Sequence, residues 1–545
     1  MATDPATESN GAHPSDWKRL LLLLLFVAAL RTFTVANATM PSRDCVVFVR
    51  DGLQLENPPP NQTRVDVIMA AEHPPGYPAA IIAMSWIVRP LMGVDQPTVD
   101  SMALSAQLVS ALSAVLLVIP LFLIARRVFD RNVAFMAVAI FEVLPVFVEV
   151  SSDGISDSVY LLTSAWALWF AFRAIDATCT RVAFLWGIGS GVFCGIGYLI
   201  RPDALVVALA IGLTCAGLVV SRIRSGNWRA PFCAGLGLTI ATFGVMAPYC
   251  VTIGGLTNKP TGRGISESIQ GEQNKPTFFR RESSIRPGVN VPIAAWWDPE
   301  ENKGQSKPLW AAKSLGSEFL KAAHYSVPFF ALIGVFIHRR RFCDPKLIVL
   351  LTVIAIHSSL LWYMAWNFDY VSQRHTLLSV MLATLFAASS FPRIGLRLVR
   401  RSPFPSLRLW PEWKAAGLLA ILVIASALPR DFRSLHSERV GHKAAGRWLA
   451  ENASPEVTII DPFGWAEWYA GRTLRTPSPP SYKLDRDYYL VFEPNAKSPH
   501  SRLNHYDLIR GVYRNCEMIY QYPVDASPDK IRVAVYYYRH VPSKK

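Results

Sequence analysis

Apolar blocks long enough to cross a bilayer recur along this chain and leave it little choice of fold. A helix needs about 20 apolar residues to span the hydrocarbon core, where every backbone polar group must be satisfied inside the segment. About eleven blocks meet that length: 17–39, 101–125, 133–150, 155–173, 183–200, 204–221, 231–251, 319–337, 346–366, 376–391 and 413–429. Only 17% of the 545 residues are charged, against about 25% in soluble domains. The sequence therefore predicts a polytopic α-helical membrane protein.

The net charge of +15 raises the question of nucleic acid, and its placement answers it. Basic residues gather in short clusters between blocks: Arg126-Arg127 with Arg131, Arg173 with Arg181, Arg222 with Arg224 and Arg229, and His338-Arg339-Arg340-Arg341 with Lys346. A last cluster holds Arg393, Arg397, Arg400, Arg401 and Arg408. These clusters alternate with acidic or neutral loops, which is the positive-inside pattern and requires no nucleic-acid partner. The N-terminus is then expected in the cytoplasm and the long loops on the exoplasmic side.

Residues 1–16 read as a disordered cytoplasmic tail, and 17–429 as the transmembrane part. Lys18-Arg19 before the apolar run 20–30 looks like a signal peptide, but no small-residue cleavage site follows, so this block is read as an uncleaved span. Segment 79–92 is too short to cross and reads as an interfacial or re-entrant helix. From 430 to 545 the composition is that of a small soluble α/β domain, expected on the exoplasmic side, with a helix at 443–450 and strands at 457–461, 488–492 and 531–538. The loop 252–318 is far longer than ordinary connections. It mixes Lys259, Arg263, Arg280, Arg281 and Arg286 with Trp296, Trp297 and Trp310, which suits either an interfacial cover or an unstructured loop. Eight cysteines show no metal-ligand or CxxC spacing; Cys45 and Cys516 are the two expected on the exoplasmic side, and a bond between them is left open.

Ionisable residues at membrane edges are costly unless paired, solvated or used. Asp44 follows the first block directly, and Glu72-His73-Pro74-Pro75-Gly76-Tyr77 presents an acid, a histidine and a tyrosine on a proline-fixed turn. Asp153 and Asp157 stand four residues apart before a later block. One can cap the helix, and the other falls at its N-terminus, where the helix dipole favours an anion. Arg201, and Arg374 beside His375, lie at exoplasmic ends of other blocks, where planar guanidinium groups suit a phosphate. Glu142 and His357 fall inside blocks and must face the protein interior. Carboxylates on two loops and arginines on two others suit a reaction in which a lipid-borne phosphate leaves and a hydroxyl attacks.

These pieces, in this order, resemble the GT-C superfamily of polyprenyl-phosphate-sugar glycosyltransferases, in particular its bacterial branch related to protein mannosyltransferases and the lipid A aminoarabinose transferase. The motifs are Asp44, His73-Pro74-Pro75-Gly76-Tyr77-Pro78, Ser156-Asp157-Ser158, Tyr198-Leu199-Ile200-Arg201-Pro202-Asp203 and Gln373-Arg374-His375. The resemblance implies a catalytic base at Asp44 with Asp157 in support, and donor contacts from Arg374 and Arg201. Glu72, His73, Tyr77, Asp153 and His375 join the expected substrate-binding set. It implies an inverting transfer of sugar from a polyprenyl-phosphate donor to a hydroxyl of a glycan, lipid or protein, in a bacterial inner membrane. Cys45 stands where the family commonly places a second acid, so metal independence is expected. The alternative is a transporter or flippase for a lipid-linked or anionic solute.

Overall fold

A computed structural model describes residues 14–258, 294–297, 302, 304–472, 486–495 and 506–540. The expected tail at 1–13 and the basic part of the long loop, with Lys259, Arg263, Arg280, Arg281 and Arg286, lie outside the described residues. Among those described, nine helices are long and apolar enough to cross a membrane, and eleven spans result if two bent helix pairs each count as one.

The spans and the short helices between them run in order. Helix α1 (Pro14–Ala36) is followed by the short α2 (Arg43–Glu56), α3 (Arg64–Ala70) and α4 (Gly76–Leu91). Then come α5 (Val99–Val128), α6 (Arg131–Glu142), α7 (Pro145–Ser152), α8 (Asp157–Asp176), α9 (Thr180–Ile200), α10 (Leu205–Arg222) and α11 (Arg229–Ile253). After the long loop follow α12 (Lys307–Ala322), α13 (Ser326–Ile337), α14 (Pro345–Phe368), α15 (Leu377–Arg400) and α16 (Glu412–Asp431). Leu21, Leu25, Phe329, Leu332, Phe336, Ile421 and Leu422 project outward, an apolar surface of the kind a lipid bilayer covers.

Two expected spans are broken. The block 133–150 divides into α6 and α7, bent by 64°, because Pro145 has no N–H to continue the ladder of α6. The block 319–337 divides at His324 and Tyr325, both with positive φ, and α12 and α13 meet at 100°. The expected Asp44 loop is also not a loop. Most of 40–100 is helical, and the short segment expected at 79–92 is the helix α4, 76–91.

Small residues set the closest helix packing. A Cβ on Gly187 or Gly191 of α9 would run into the carbonyl oxygens of Ala234 and Leu238 on α11, and one on Gly237 would meet that of Phe184. Lipid gives helices no hydrophobic reason to associate, so close backbone approach and dispersion must do it. At the bundle centre, α15 satisfies its hydroxyls locally: Thr384 donates to the Val380 carbonyl at 2.8 Å and Ser390 to that of Ala387 at 2.7 Å.

The C-terminal unit is a four-stranded sheet of order β3-β4-β6-β5, formed by β3 (Thr458–Ile460), β4 (Tyr488–Phe492), β5 (Glu517–Tyr522) and β6 (Val533–Tyr538). Strand β3 is parallel to β4, and the other pairs are antiparallel. The buried run of β4 serves two cores. Tyr489 and Val491 pack toward α17 (Val440–Asn452) and α18 (Trp465–Tyr469), while Tyr488, Leu490 and Phe492 pack on the opposite face with Ile509. Strand β5 escaped the sequence reading because it is a half-exposed edge without an apolar run. All eight cysteines are free, Cys45 buried in the bundle and Cys516 in this sheet unit, so no bond joins them.

The α9–α11 seam makes a direct prediction. Gly191→Val forces the backbones apart and costs about 1–3 kcal/mol, seen as a lower thermal midpoint of the detergent-solubilised protein, whereas Gly212→Val, with open space at its Cβ, leaves the midpoint near wild type.

Candidate active site

The first acid is placed by a cap. Ser42 accepts from the Cys45 N–H at 3.2 Å and so starts α2 at Arg43, putting Asp44 in the first turn, where the unsatisfied N–H groups favour a carboxylate. The same Ser42 hydroxyl donates to the Asp153 carbonyl at 3.2 Å. The turn after α7 can sit this close only because residue 154 is glycine. Its φ is +70°, and a Cβ there would stand 2.7 Å from Cys45 Sγ. The turn then releases α8 with Asp157 as its first residue.

Arginines arrive from two other elements. Pro202 ends α9 and holds Arg201 extended, with φ −148° and ψ 128°. Arg201 Nη1 lies 2.5 Å from Asp157 Oδ1 and Nη2 lies 3.0 Å from Asp203 Oδ2. Arg374 comes from a short 3-10 turn, 373–376, that follows β2 (Tyr370–Ser372). That strand is pinned by β1 (Ala294–Trp296), with Ala294 opposite Ser372 and Trp296 opposite Tyr370. Arg374 Nη1 lies 2.5 Å from Asp44 Oδ2.

The result is a row of alternating charge: Asp44, Arg374, Asp157, Arg201 and Asp203, with Asp157 within electrostatic reach of both arginines. Its two ends differ. Asp157 and Arg201 are buried against each other, whereas the Asp44 side chain remains 41% exposed and the Arg374 side chain 29%. Arg374 holds the Asp44 carboxyl well below the usual carboxylate range, against the opposing effect of desolvation. The Arg201 guanidinium is pushed up: burial opposes its charge, and Asp157 with Asp203 overcomes that.

The other expected residues divide. His73 is near the row: its Nδ1 lies 3.6 Å from Asp51 Oδ2, its ring packs on Phe48 at 4.6 Å, and its charge would act on Asp44. His375 packs edge-on against Tyr370. Glu72 is exposed to solvent. Tyr77 is fully buried, and its hydroxyl is shared with Ser110 at 2.7 Å, so the structure gives it to packing rather than to the open face. Asp153 does not cap α8. Its carboxylate lies 2.9 Å from His436 Nε2.

Sequence reasoning missed Asp51, His436 and Arg31. Asp51 was findable, since it follows Asp44 by seven residues and two helical turns bring both to one face; reading the region as loop hid it. His436 carried no sequence signal. Inside the bundle, Glu142 faces Arg31 at 2.8 Å and His357 Nδ1 meets Ser379 Oγ at 2.8 Å, both buried as expected. An apolar cavity of about 630 Å³ lies between α12, α13, α14 and α15, and its lining includes Trp362, Phe386 and Thr376, two residues from Arg374.

The family profile for dolichyl-phosphate-mannose-protein mannosyltransferases matches residues 78–249, from α4 to α11. No sequence among the curated proteins matches the chain. The fold is similar to that of ArnT from Cupriavidus metallidurans, solved with undecaprenyl phosphate, at 12% identity and a TM-score of 0.55, covering 96% of this chain and 98% of that one. It is also similar to the oligosaccharyltransferase AglB from Archaeoglobus fulgidus, solved with an inhibitory peptide and a dolichol-phosphate, at 13% identity and a TM-score of 0.51. That match covers 84% of this chain but 64% of AglB, so the chain spans just under two thirds of the archaeal protein's length. The chain thus shares the membrane fold of ArnT and AglB.

Proposed function

We propose that this protein is an inverting glycosyltransferase that moves a sugar from a polyprenyl-phosphate donor to a hydroxyl of a glycan, lipid or protein, on the exoplasmic face of a bacterial inner membrane. The observation that carries the reading is the exposed Asp44–Arg374 contact, a base and a phosphate-binding cation in one open position. The apolar cavity beside the Arg374 turn suits the lipid of such a donor, and ArnT and AglB were both solved with a polyprenyl phosphate bound.

In this reading Arg374 changes partners. With Arg374 on it, Asp44 is held ionised and is a weak base. The donor phosphate, placed beside the cavity, draws the guanidinium to itself, and Asp44 becomes more basic as the donor seats. Asp44 then takes the proton of the acceptor hydroxyl while its oxygen attacks the anomeric carbon from the face opposite the phosphate. The bond from anomeric carbon to phosphate oxygen breaks, the lipid phosphate leaves with both bond electrons, and Arg374 neutralises it. Asp157 and Arg201 form the buried wall of the site. Neutralisation by arginine is sufficient for a single phosphate leaving group, so the reaction is proposed to need no metal ion. The transport reading draws on Glu142, His357 and the basic exoplasmic loops, and of these Glu142 and His357 are engaged in helix packing here.

Transfer from a synthetic polyprenyl-phosphate sugar by the purified protein tests this. Asp44→Asn lowers kcat by about 10²–10⁴-fold; turnover near wild type would sink the assignment of the base. Arg374→Gln also lowers kcat, and it lowers the thermal midpoint less than Arg201→Gln does, because its partner is partly exposed. Arg201→Gln acts first on the fold: it leaves Asp157 buried and unpaired and costs about 3–5 kcal/mol of stability. Chelator treatment leaves kcat within about twofold, and a loss of activity restored by a divalent cation would show that a metal takes part.

A further inference from the structure

The turn between α7 and α8 is gripped from the far end of the chain. His436 lies between α16 and α17, with a left-handed backbone (φ 56°, ψ 27°), and points its Nε2 at Asp153 Oδ1, 2.9 Å away. Neither group is open to solvent: Asp153 is 4% exposed and the His436 side chain 15%. A non-glycine residue held left-handed must be compensated by its surroundings, and this segment is stitched down on both sides. The Thr39 N–H donates to the Leu435 carbonyl at 3.1 Å, and Ser434 Oγ to that of Asn37 at 2.7 Å. Lys443 Nζ donates to the Thr39 carbonyl at 2.8 Å, and Trp465 Nε1 to that of Pro41 at 3.1 Å.

We propose that His436 is a positioning residue of the site, its imidazolium clamping the Asp153 turn so that the C-terminal segment fixes where Asp44 and Asp157 stand. The proposal rests on the transferase reading above, in which Asp44 is the base. The path is short. Asp153 offers its carbonyl to Ser42, Ser42 caps α2 one residue before Arg43, and Asp44 sits in the turn that this cap defines. Gly154 seats on Cys45 of the same helix, and Asp157 follows three residues later as the start of α8. Residues 434–465 thus brace both segments on which the site depends: 37–41 through hydrogen bonds to its main chain, and the turn at Asp153 through His436.

Charge makes the clamp conditional. The groups facing His436 are Asp153 after α7, Glu149 on α7 and Glu438 in its own segment; Arg430 on α16 acts on Glu149, and Asp44 acts on Asp153. Burial alone would lower the imidazole pKa, but Asp153, Glu149 and Glu438 overcome it and hold the proton up to about 9. The sign follows from linkage. A histidine whose folded value lies above its free value of about 6.5 contributes stability that is complete below about pH 6.5 and is lost as pH rises through the folded value.

The experiment compares wild type, His436→Gln and His436→Lys across pH 6–10, reading kcat, KM for a polyprenyl-phosphate sugar, and the thermal midpoint of the full chain in detergent. His436→Gln is expected to lower kcat about 10-fold or more, as a small misplacement of a reacting group does, with KM for the donor within about twofold. It also removes the fall in midpoint that wild type shows between about pH 6.5 and 9. His436→Lys, a cation beyond that range, recovers most of kcat and moves the alkaline limb upward. A Gln variant with wild-type kcat and pH profile overturns the proposal. Should wild type transfer no sugar, the transferase reading fails. The pH slope of the midpoint, present in wild type and absent in the Gln variant, then supports the pair alone, and a slope unchanged by the substitution rejects it.

Discussion

Charge at the edge of a low-dielectric bundle has to be matched, and the pairing of Asp44 with Arg374 is the match on which the rest of this structure turns. A carboxylate at the start of α2 and a guanidinium just before α15 would each be costly alone at membrane level. Brought together at 2.5 Å, they fix the first part of the membrane unit to its last third. Local structure positions them: the Ser42 side-chain cap, the close approach at Gly154, and the strand pair β1–β2 that holds the Arg374 turn. Their partial exposure is what separates this pair from Asp157–Arg201, which is sealed from solvent.

The same rule orders the interior. Arg31 has 1% of its side chain exposed and Glu142 none, yet both sit where α1 passes the break between α6 and α7. Arg31 Nη2 bonds both the Glu142 carboxylate and the Glu142 carbonyl, the latter at 2.9 Å. That carbonyl lies at the end of α6, where the helix has no further N–H to offer. A single guanidinium thus neutralises an acid and caps a broken helix. The break at Pro145 in turn lets α7 leave the line of α6 and carry Ser152 to its bond with Thr34, at 2.6 Å, just ahead of the turn that holds Asp153 and Asp157.

The fold was legible wherever one local pattern decides it. Long apolar blocks marked the nine long apolar helices and the two bent pairs among the described residues, and the runs at 457–461, 488–492 and 531–538 marked three of the four strands described in the C-terminal sheet. Asp44, Asp157, Arg201 and Arg374 could be selected because an ionisable group next to an apolar block is conspicuous in sequence. What stayed hidden was pairing. Nothing at Arg201 says that Asp157 and Asp203 already saturate it, and nothing at Tyr77 says that Ser110 takes its hydroxyl. The bend between α12 and α13 depends on left-handed φ at His324 and Tyr325, residue types that give no such warning. His436 is the extreme case, a histidine in a polar linker whose partner lies in another part of the chain.

In the proposed reaction, partner exchange explains why a strongly acidic aspartate can still be used as a base. If Arg374 were permanent on Asp44, the carboxylate would be ionised at every physiological pH but would bind a proton poorly. If Arg374 were absent, Asp44 would be more basic with or without donor. Sharing one guanidinium between the acid and the donor phosphate makes basicity depend on occupancy, so proton abstraction is favoured only when a leaving group is in place. Such sharing demands that Asp44 itself not drift toward the phosphate when the guanidinium leaves. The Ser42 cap and the Asp153 turn supply that restraint, and His436 is what holds the turn, so the C-terminal unit is bound into the chemistry through geometry rather than through contact with substrate.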